Sequence, residues 1–79
     1  DRHLYKYDIV IVSINYFIYA LNLRPKSKKT LLVISALYFK KKNFDKAILF
    51  LDKLLKDDEF DKEALSQMGA TLVNMGRFE

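Results

Sequence analysis

Apolar residues recur along this chain with the spacing of helices. Near its middle, residues three, four and seven positions apart share one helical face, at Leu31, Ile34, Ser35 and Tyr38. The same spacing continues on a second helix at Ala47, Leu51 and Leu54. No segment alternates polar and apolar residues over a length that would predict a strand. The pattern predicts an all-α chain with helices near 9–23, 28–41, 45–57 and 62–75, a helix tail at 1–6, and a further helix beginning within 77–79.

Capping and helix-breaking residues predict where these helices begin and end. Asn43 and Asp61 are predicted N-caps, because short polar side chains accept hydrogen bonds from the free N–H groups of a first helical turn. Gly76 stands where a helix would end in a left-handed residue. Arg24 is predicted to end the first long helix, since proline disfavours helical backbone in the residue before it and Pro25 follows.

The same residue classes recur at a fixed interval along the chain, with a period of about 34 residues. Large residues align with large ones and, in most cases, small residues with small ones. The aligned sets are Leu4, Tyr38 and Leu72; Ser13 and Ala47; Phe17 and Leu51; Ala20 and Leu54; Leu31 and Leu65; Ile34 and Met68; Ser35 and Gly69; and Phe44 and Phe78. A fixed period of this length predicts a repeat array in which each unit buries its apolar face against its neighbours.

This period and its residue classes resemble the tetratricopeptide repeat. The residues that carry the resemblance in the middle of the chain are Leu31, Ile34, Ser35, Tyr38, Phe44, Ala47 and Leu51. The resemblance implies antiparallel helical hairpins stacked into a right-handed superhelix, an α-solenoid, in which small residues let paired helices approach closely. It makes 1–79 one repeat domain, with a partial repeat 1–27, a repeat 28–61 and a partial repeat 62–79.

Three residues depart from that family's pattern. Leu54 stands where alanine is usual, Glu59 stands where proline is usual, and Asp1 stands at a position for a small residue. These departures weaken single positions and leave the period intact. An unrelated helical bundle remains the alternative.

The resemblance also implies a concave groove lined by the first helix of each hairpin. The groove floor is expected at Tyr5, Leu32, Val33, Ala36, Phe39, Ala70 and Val73. Its rim is polar or basic, and an apolar patch with a polar rim is typical of a binding site. An amphipathic helix is the ligand expected for such a groove, and Phe39→Asp or Leu32→Asp is predicted to abolish binding while leaving helicity near normal. Alternatively, a missing segment of the same chain covers these residues.

One known groove chemistry is not expected here. Repeat proteins that grip the C-terminal carboxylates of heat-shock chaperones use Lys, Asn and Arg in the groove. The corresponding residues of this chain are Arg2, Val33, Glu63 and Gln67. Val33 donates no side-chain hydrogen bond and Glu63 repels a carboxylate, so this interpretation is rejected.

The predicted helix 9–23 is more apolar than the repeat requires. Its apolar residues at positions that are usually polar or exposed are Ile11, Val12, Ile18 and Tyr19. Burying each such side chain is worth about 1.5–3 kcal/mol, so they are expected to pack against a missing N-terminal segment or a second small protein. Extra core contacts within this chain are the alternative.

Composition excludes most chemistry. The chain has no cysteine and one histidine, His3, and its two glycines form no phosphate-binding loop. No catalytic or metal-binding constellation is present, and the run Asp57-Asp58-Glu59 lacks the spacing of a calcium loop. We therefore expect no enzymatic activity, no cofactor and no metal.

Charge and hydropathy bear on partners. Residues 1–42 hold nine Lys/Arg and two Asp/Glu, a balance of +7, and residues 43–79 hold five and eight, a balance of −3. The basic half leaves an RNA- or membrane-binding module as a third possibility, although the lysines cluster at helix ends, where they also complement the helix dipole. The apolar run from Ile9 to Leu23 is 15 residues long, against the roughly 20 needed to span a membrane.

The function expected from the sequence is that of a cytoplasmic protein-binding scaffold. Within the resembling family, a small array with an apolar groove is similar to the chaperones of bacterial type III secretion. These hold the amphipathic helix of a needle subunit with a second small protein attached, so two protein partners are expected and nucleic acid is not. The main alternative is a structural repeat segment of a larger assembly protein.

Overall fold

A computed structural model describes residues 8–76, and these residues form four helices without a strand. In chain order they are α1 (Ile9–Leu23), α2 (Lys28–Lys40), α3 (Phe44–Asp57) and α4 (Lys62–Asn74). The all-α prediction is confirmed for this range, and each helix end lies within one residue of the predicted one. The predicted helix tail at 1–6 and the helix beginning within 77–79 lie outside the described residues.

Each helix begins at a side-chain cap. Asp8 Oδ1 accepts from the N–H groups of Val10 and Ile11 at 2.9 and 3.3 Å. Ser27, Asn43 and Asp61 accept from the backbone N–H three residues later, at 3.2, 3.4 and 2.9 Å. The predicted caps Asn43 and Asp61 are therefore confirmed. A cap of this kind stabilises a helix by about 1 kcal/mol, which favours these starting points over neighbouring ones.

The ends of the helices recur at the interval found in the sequence. α4 begins and ends one period after α2, and α3 ends one period after α1. Two left-handed residues follow the same interval, Lys42 with φ 63° and Gly76 with φ 79°. The left-handed backbone predicted at Gly76 is thus confirmed, and its counterpart one period earlier is a lysine.

Lys42→Gly is expected to raise the free energy of unfolding by about 0.5–1 kcal/mol, because a residue with a Cβ is strained in the left-handed region and glycine is not. Urea unfolding followed by circular dichroism measures the difference. Lys41→Gly is the matched control: Lys41 has φ −79°, so glycine relieves no strain there and should destabilise. Equal effects of the two substitutions would contradict the assignment of strain to Lys42.

The core lies where α2 packs against α3, and it extends to α1 and α4. Consecutive helices contact one another and α2 also contacts α4. The buried apolar residues are Ile14, Leu31, Ile34, Ala47, Leu51, Leu54 and Ala64. Ser35 and Ala47, the small residues of the complete repeat, are both fully buried. The positions that the period selects between 28 and 61 are therefore largely the ones that this fold buries.

One face of α4 carries the same residue classes as the core face of α2, but its side chains are less buried. This outer face of α4 consists of Leu65, Met68, Gly69 and Leu72, which follow core or half-buried residues of α2 by one period. Leu31 is buried whereas Leu65 is exposed. Apart from Gly69, its two neighbours and the adjoining backbone of α4, no heavy atom of the described range lies within 4 Å of a Cβ built on Gly69. On the outer face of α4, Leu65 and Gly69 are thus exposed within residues 8–76, whereas Met68 and Leu72 are half-buried and Met68 packs against the core.

Gly69→Ala is expected to stabilise the chain by about 0.5–1 kcal/mol, because glycine in a helix interior costs that much relative to alanine and the added methyl group meets open space. Thermal unfolding would measure the gain. A loss of stability would mean that another segment or protein packs closely on Gly69.

Candidate protein-binding groove

Residues that the sequence predicts for a groove lie on α2 and α4, two helices that contact each other but are not consecutive in the chain. Three predicted groove residues, Ala36, Phe39 and Ala70, come together around an open depression of about 220 Å³. Gln67 and Thr71 complete its lining. We call these five residues the groove depression. Thr71 was not among the predicted groove residues, and Gln67 was predicted at a polar groove position outside the apolar floor.

Small side chains make the depression and polar contacts hold its walls together. Ala36 and Ala70 are exposed and leave the space open. Behind them, the buried Ser35 hydroxyl lies 2.9 Å from Gln67 Oε1 and joins α2 to α4. The Thr71 hydroxyl donates to the Gln67 carbonyl oxygen at 2.7 Å. The Ser35–Gln67 contact constrains the relative position of α2 and α4, whereas the Thr71–Gln67 hydrogen bond lies within α4.

The other predicted groove residues do not line the depression. Leu32 is half-buried and packs against the core cluster formed with Leu31 and Leu51. Val33 is half-buried, and Val73 is exposed further along α4. Tyr5 lies outside the described residues. The period placed these residues on the correct helices, but their degree of burial depends on neighbours that the sequence pattern does not specify.

Ion pairs link the N-terminal ends of the two groove helices. Lys28 Nζ lies 2.7 Å from an oxygen of Asp61 and 2.9 Å from one of Glu63. The hydrogen bond from Lys28, followed by that from the Ala64 N–H, holds the pKa of Asp61 below its ordinary value of 3.8. The two acidic partners raise the pKa of Lys28. At this end of the groove one ammonium group is therefore in contact with two carboxylates.

Asp61→Asn is expected to reduce the acid sensitivity of folding. Because the pKa of Asp61 is lowered in the folded chain, its ionised form stabilises folding above pH 3.8 and this stabilisation is lost as the pH falls further. Asparagine retains the N-cap but cannot titrate. Urea midpoints measured between pH 6 and about pH 2 should fall less steeply for Asp61→Asn. The exposed Asp52→Asn should keep the steep fall; a matching slope for both variants would refute the role of Asp61.

A second cavity of about 180 Å³ lies beside these ion pairs. Its charged lining residues are Lys26, Lys28, Asp57, Asp58 and Asp61. Lys26 Nζ lies 3.9 Å from Asp57 and Lys28 binds Asp61, so lysines already neutralise part of its acidic lining. Within residues 8–76 no three acidic or histidine side chains are placed to hold a metal ion.

The exposed apolar surface of α1 contains more residues than the sequence predicted, and it lies along a different face of the helix. Ile11, Val12 and Tyr19 are exposed within residues 8–76, whereas Ile18 is half-buried. Further large exposed residues, missed in the sequence, give α1 a continuous apolar stripe, the α1 stripe: Ile9, Val12, Tyr16, Tyr19 and Leu23. Its members stand alternately three and four residues apart, the spacing by which one helix packs along another.

Among the described helices, none combines the length and the apolar character of a membrane span.

Comparison with known proteins found no matching family model, no matching curated protein and no matching solved structure.

Proposed function

We propose that this chain is a protein-binding scaffold of the tetratricopeptide type, a right-handed array of helical hairpins whose groove between α2 and α4 holds an amphipathic helix. The observation that carries the proposal is the groove depression, in which Ala36, Phe39 and Ala70 meet across two non-consecutive helices. The recurrence of helix ends after one period supports the repeat architecture.

The size of the depression favours a side chain over a small molecule. Pockets for drug-sized ligands enclose about 300–1,000 Å³, whereas this one encloses about 220 Å³. Its walls are mostly alanine and aromatic surface, with one amide from Gln67 and one hydroxyl from Thr71. A large apolar side chain of a bound helix would fill this space, and the flanking helical surfaces would contact its neighbours.

Crosslinking tests where such a helix binds. A synthetic amphipathic peptide with a photoreactive phenylalanine analogue on its apolar face is irradiated with the protein, and the products are mapped by mass spectrometry. The proposal expects crosslinks on α2 and α4 around Ala36 and Ala70. Crosslinks confined to the α1 stripe would contradict the groove proposal and transfer the binding role to α1.

The secretion chaperone expected from the sequence is a narrower form of this function. It requires a second protein surface beside the groove. The α1 stripe supports that requirement, because its spacing suits a second helix. Co-purification with one needle subunit and one further small protein would support this version, and a complex with a single partner would contradict it.

A structural repeat segment of a larger protein is the second candidate. The outer face of α4 favours it, because Leu65, Met68 and Gly69 repeat the buried Leu31, Ile34 and Ser35. In this case another helix of an array would cover that face, and Gly69→Ala in the assembled protein would be destabilising. The two candidates are thus separated by the sign of one stability change.

A basic nucleic-acid module is less well supported. Lys28 is paired with Asp61 and Glu63, and Lys41 is paired with Asp8. Neighbouring carboxylates therefore neutralise part of the positive charge in residues 1–42. This weakens the electrostatic attraction of the surface for phosphates.

A further inference from the structure

The two ends of the groove differ in charge. At the N-terminal end, one ammonium group, that of Lys28 on α2, contacts the two carboxylates of Asp61 and Glu63. At the C-terminal end of α2 stand three consecutive lysines, the lysine end: Lys40, Lys41 and Lys42. Beyond Glu63 the described part of α4 carries no acidic residue. The groove thus becomes positive toward the lysine end.

Two members of the lysine end have no acidic partner within residues 8–76. Lys41 pairs with Asp8, at the start of α1. Among the ion pairs of this range, none involves Lys40 or Lys42. Their charge is offset only in part by the negative end of the α2 dipole, which is equivalent to about half an elementary charge.

Lys40 is placed to act together with the groove depression. It follows Ala36 by four residues on the same face of α2, so the two positions are about 6 Å apart along the helix axis. A bound helix that runs along α2 and seats an apolar side chain beside Ala36 would bring its next turn beside Lys40. The charge of the residue one turn from that apolar anchor would then act on Lys40.

We propose that the helix held in this groove is acidic at one end, with Asp or Glu three or four residues from its main apolar anchor, and that Lys40 selects this acid. The inference rests on the proposed function, because it specifies the ligand of the same groove. It also fixes direction: the acidic end of the bound helix lies at the lysine end, and a neutral or mixed-charge segment lies beside Lys28 and Glu63.

Three synthetic peptides test the proposal. Each has about 18 residues, roughly 27 Å of helix, with leucines on one face and either Glu, Gln or Lys at the position four residues from the central leucine. Fluorescence anisotropy gives their affinities. At low salt the Glu peptide should bind about two- to fivefold more tightly than the Gln peptide, the range expected of an exposed ion pair, and the Lys peptide more weakly than both.

Matched variants assign the preference to one residue. Lys40→Gln should remove the advantage of the Glu peptide, whereas Lys53→Gln, on the exposed side of α3, should retain it. The advantage should also disappear near 1 M salt, where charges are screened over about 3 Å. Equal binding of the Glu and Gln peptides, or a preference that survives Lys40→Gln, overturns the proposal and leaves the groove function standing.

Two further outcomes are distinguishable. If none of the three peptides binds, both the acidic ligand and the proposed function are overturned. If the Glu and Gln peptides bind equally, and a single-stranded RNA binds in a manner that depends on Lys40 and persists when tryptophan replaces Ala70, the lysine end is a nucleic-acid site and the acidic-helix proposal is overturned.

Discussion

Ala70→Trp is expected to weaken binding of an amphipathic helix by roughly 30-fold or more, the factor that corresponds to the 2 kcal/mol typical of a central interface residue. Ala70 lines the groove depression and is exposed. An indole there fills the space that a ligand side chain needs, without adding a charge that would attract or repel an acidic peptide. Because tryptophan is tolerated on exposed helix surfaces at a cost of a few tenths of a kcal/mol, helicity should be nearly unchanged.

The experiment has an internal reporter and a matched control. The chain contains no tryptophan, so the fluorescence of the introduced indole reports on the depression alone. Leu49→Trp places the same side chain on the exposed side of α3 and should leave peptide affinity unchanged. Binding that survives Ala70→Trp, with normal circular dichroism for both variants, would refute the groove depression as the binding site.

The structure also changes which substitutions are informative. The sequence pointed to Leu32→Asp and Phe39→Asp. Leu32 packs against the core cluster, and the Phe39 ring lies edge-on to Phe44 with centroids 5.4 Å apart. An aspartate at either position would disturb folding as well as binding. The expectation of near-normal helicity for these two variants is therefore withdrawn, and Ala70 takes their place.

Leu51→Ala is expected to unfold most of the population at 37 °C. Leu51 is 0% exposed and belongs to the cluster with Leu31, Leu54 and Ala64. Removing a buried leucine costs about 2–5 kcal/mol, and a domain of this size rarely has more than about 3–5 kcal/mol of total stability. Urea titration at low temperature, where some folded protein remains, should show the midpoint falling sharply.

Leu49→Ala tests whether the loss of stability comes from the burial of the leucine and not merely from its removal. Leu49 lies two residues earlier on the same helix and is 52% exposed, so the same truncation should cost well under the Leu51 value, about 0.5 kcal/mol or less. If the two variants lose equal stability, α3 packs in another orientation, and the faces assigned to α2 and α4 would have to change with it.

The extent of the sequence prediction can be judged from particular residues. Leu31, Ile34, Ser35, Ala47 and Leu51 were chosen from periodicity, and all five are buried. The same periodicity chose Leu65 and Gly69, which are open to solvent in the described range because no further helix there covers α4. A repeat pattern specifies which face of a helix can pack, and a neighbouring helix decides whether it does.

The residues of the candidate site were likewise predicted only in part. Ala36, Phe39 and Ala70 were predicted and do meet, because residues one period apart occupy equivalent faces of equivalent helices. Thr71 and the Ser35–Gln67 contact were missed, since side chains 32 residues apart are brought together only by the packing of α2 on α4. Only Val12 and Tyr19 of the α1 stripe were predicted. A helix with apolar residues on opposite faces does not reveal from its sequence which face is buried.

By itself, the sequence determined the four helices, their ends and the face of each that can pack, because caps, spacing and the left-handed residue at Gly76 act over a few neighbouring residues. Only the tertiary structure decided which of those faces are covered, that α2 and α4 enclose an open depression, and that positive charge collects at one end of it. These properties depend on distances between residues far apart in the chain, which local pattern does not set.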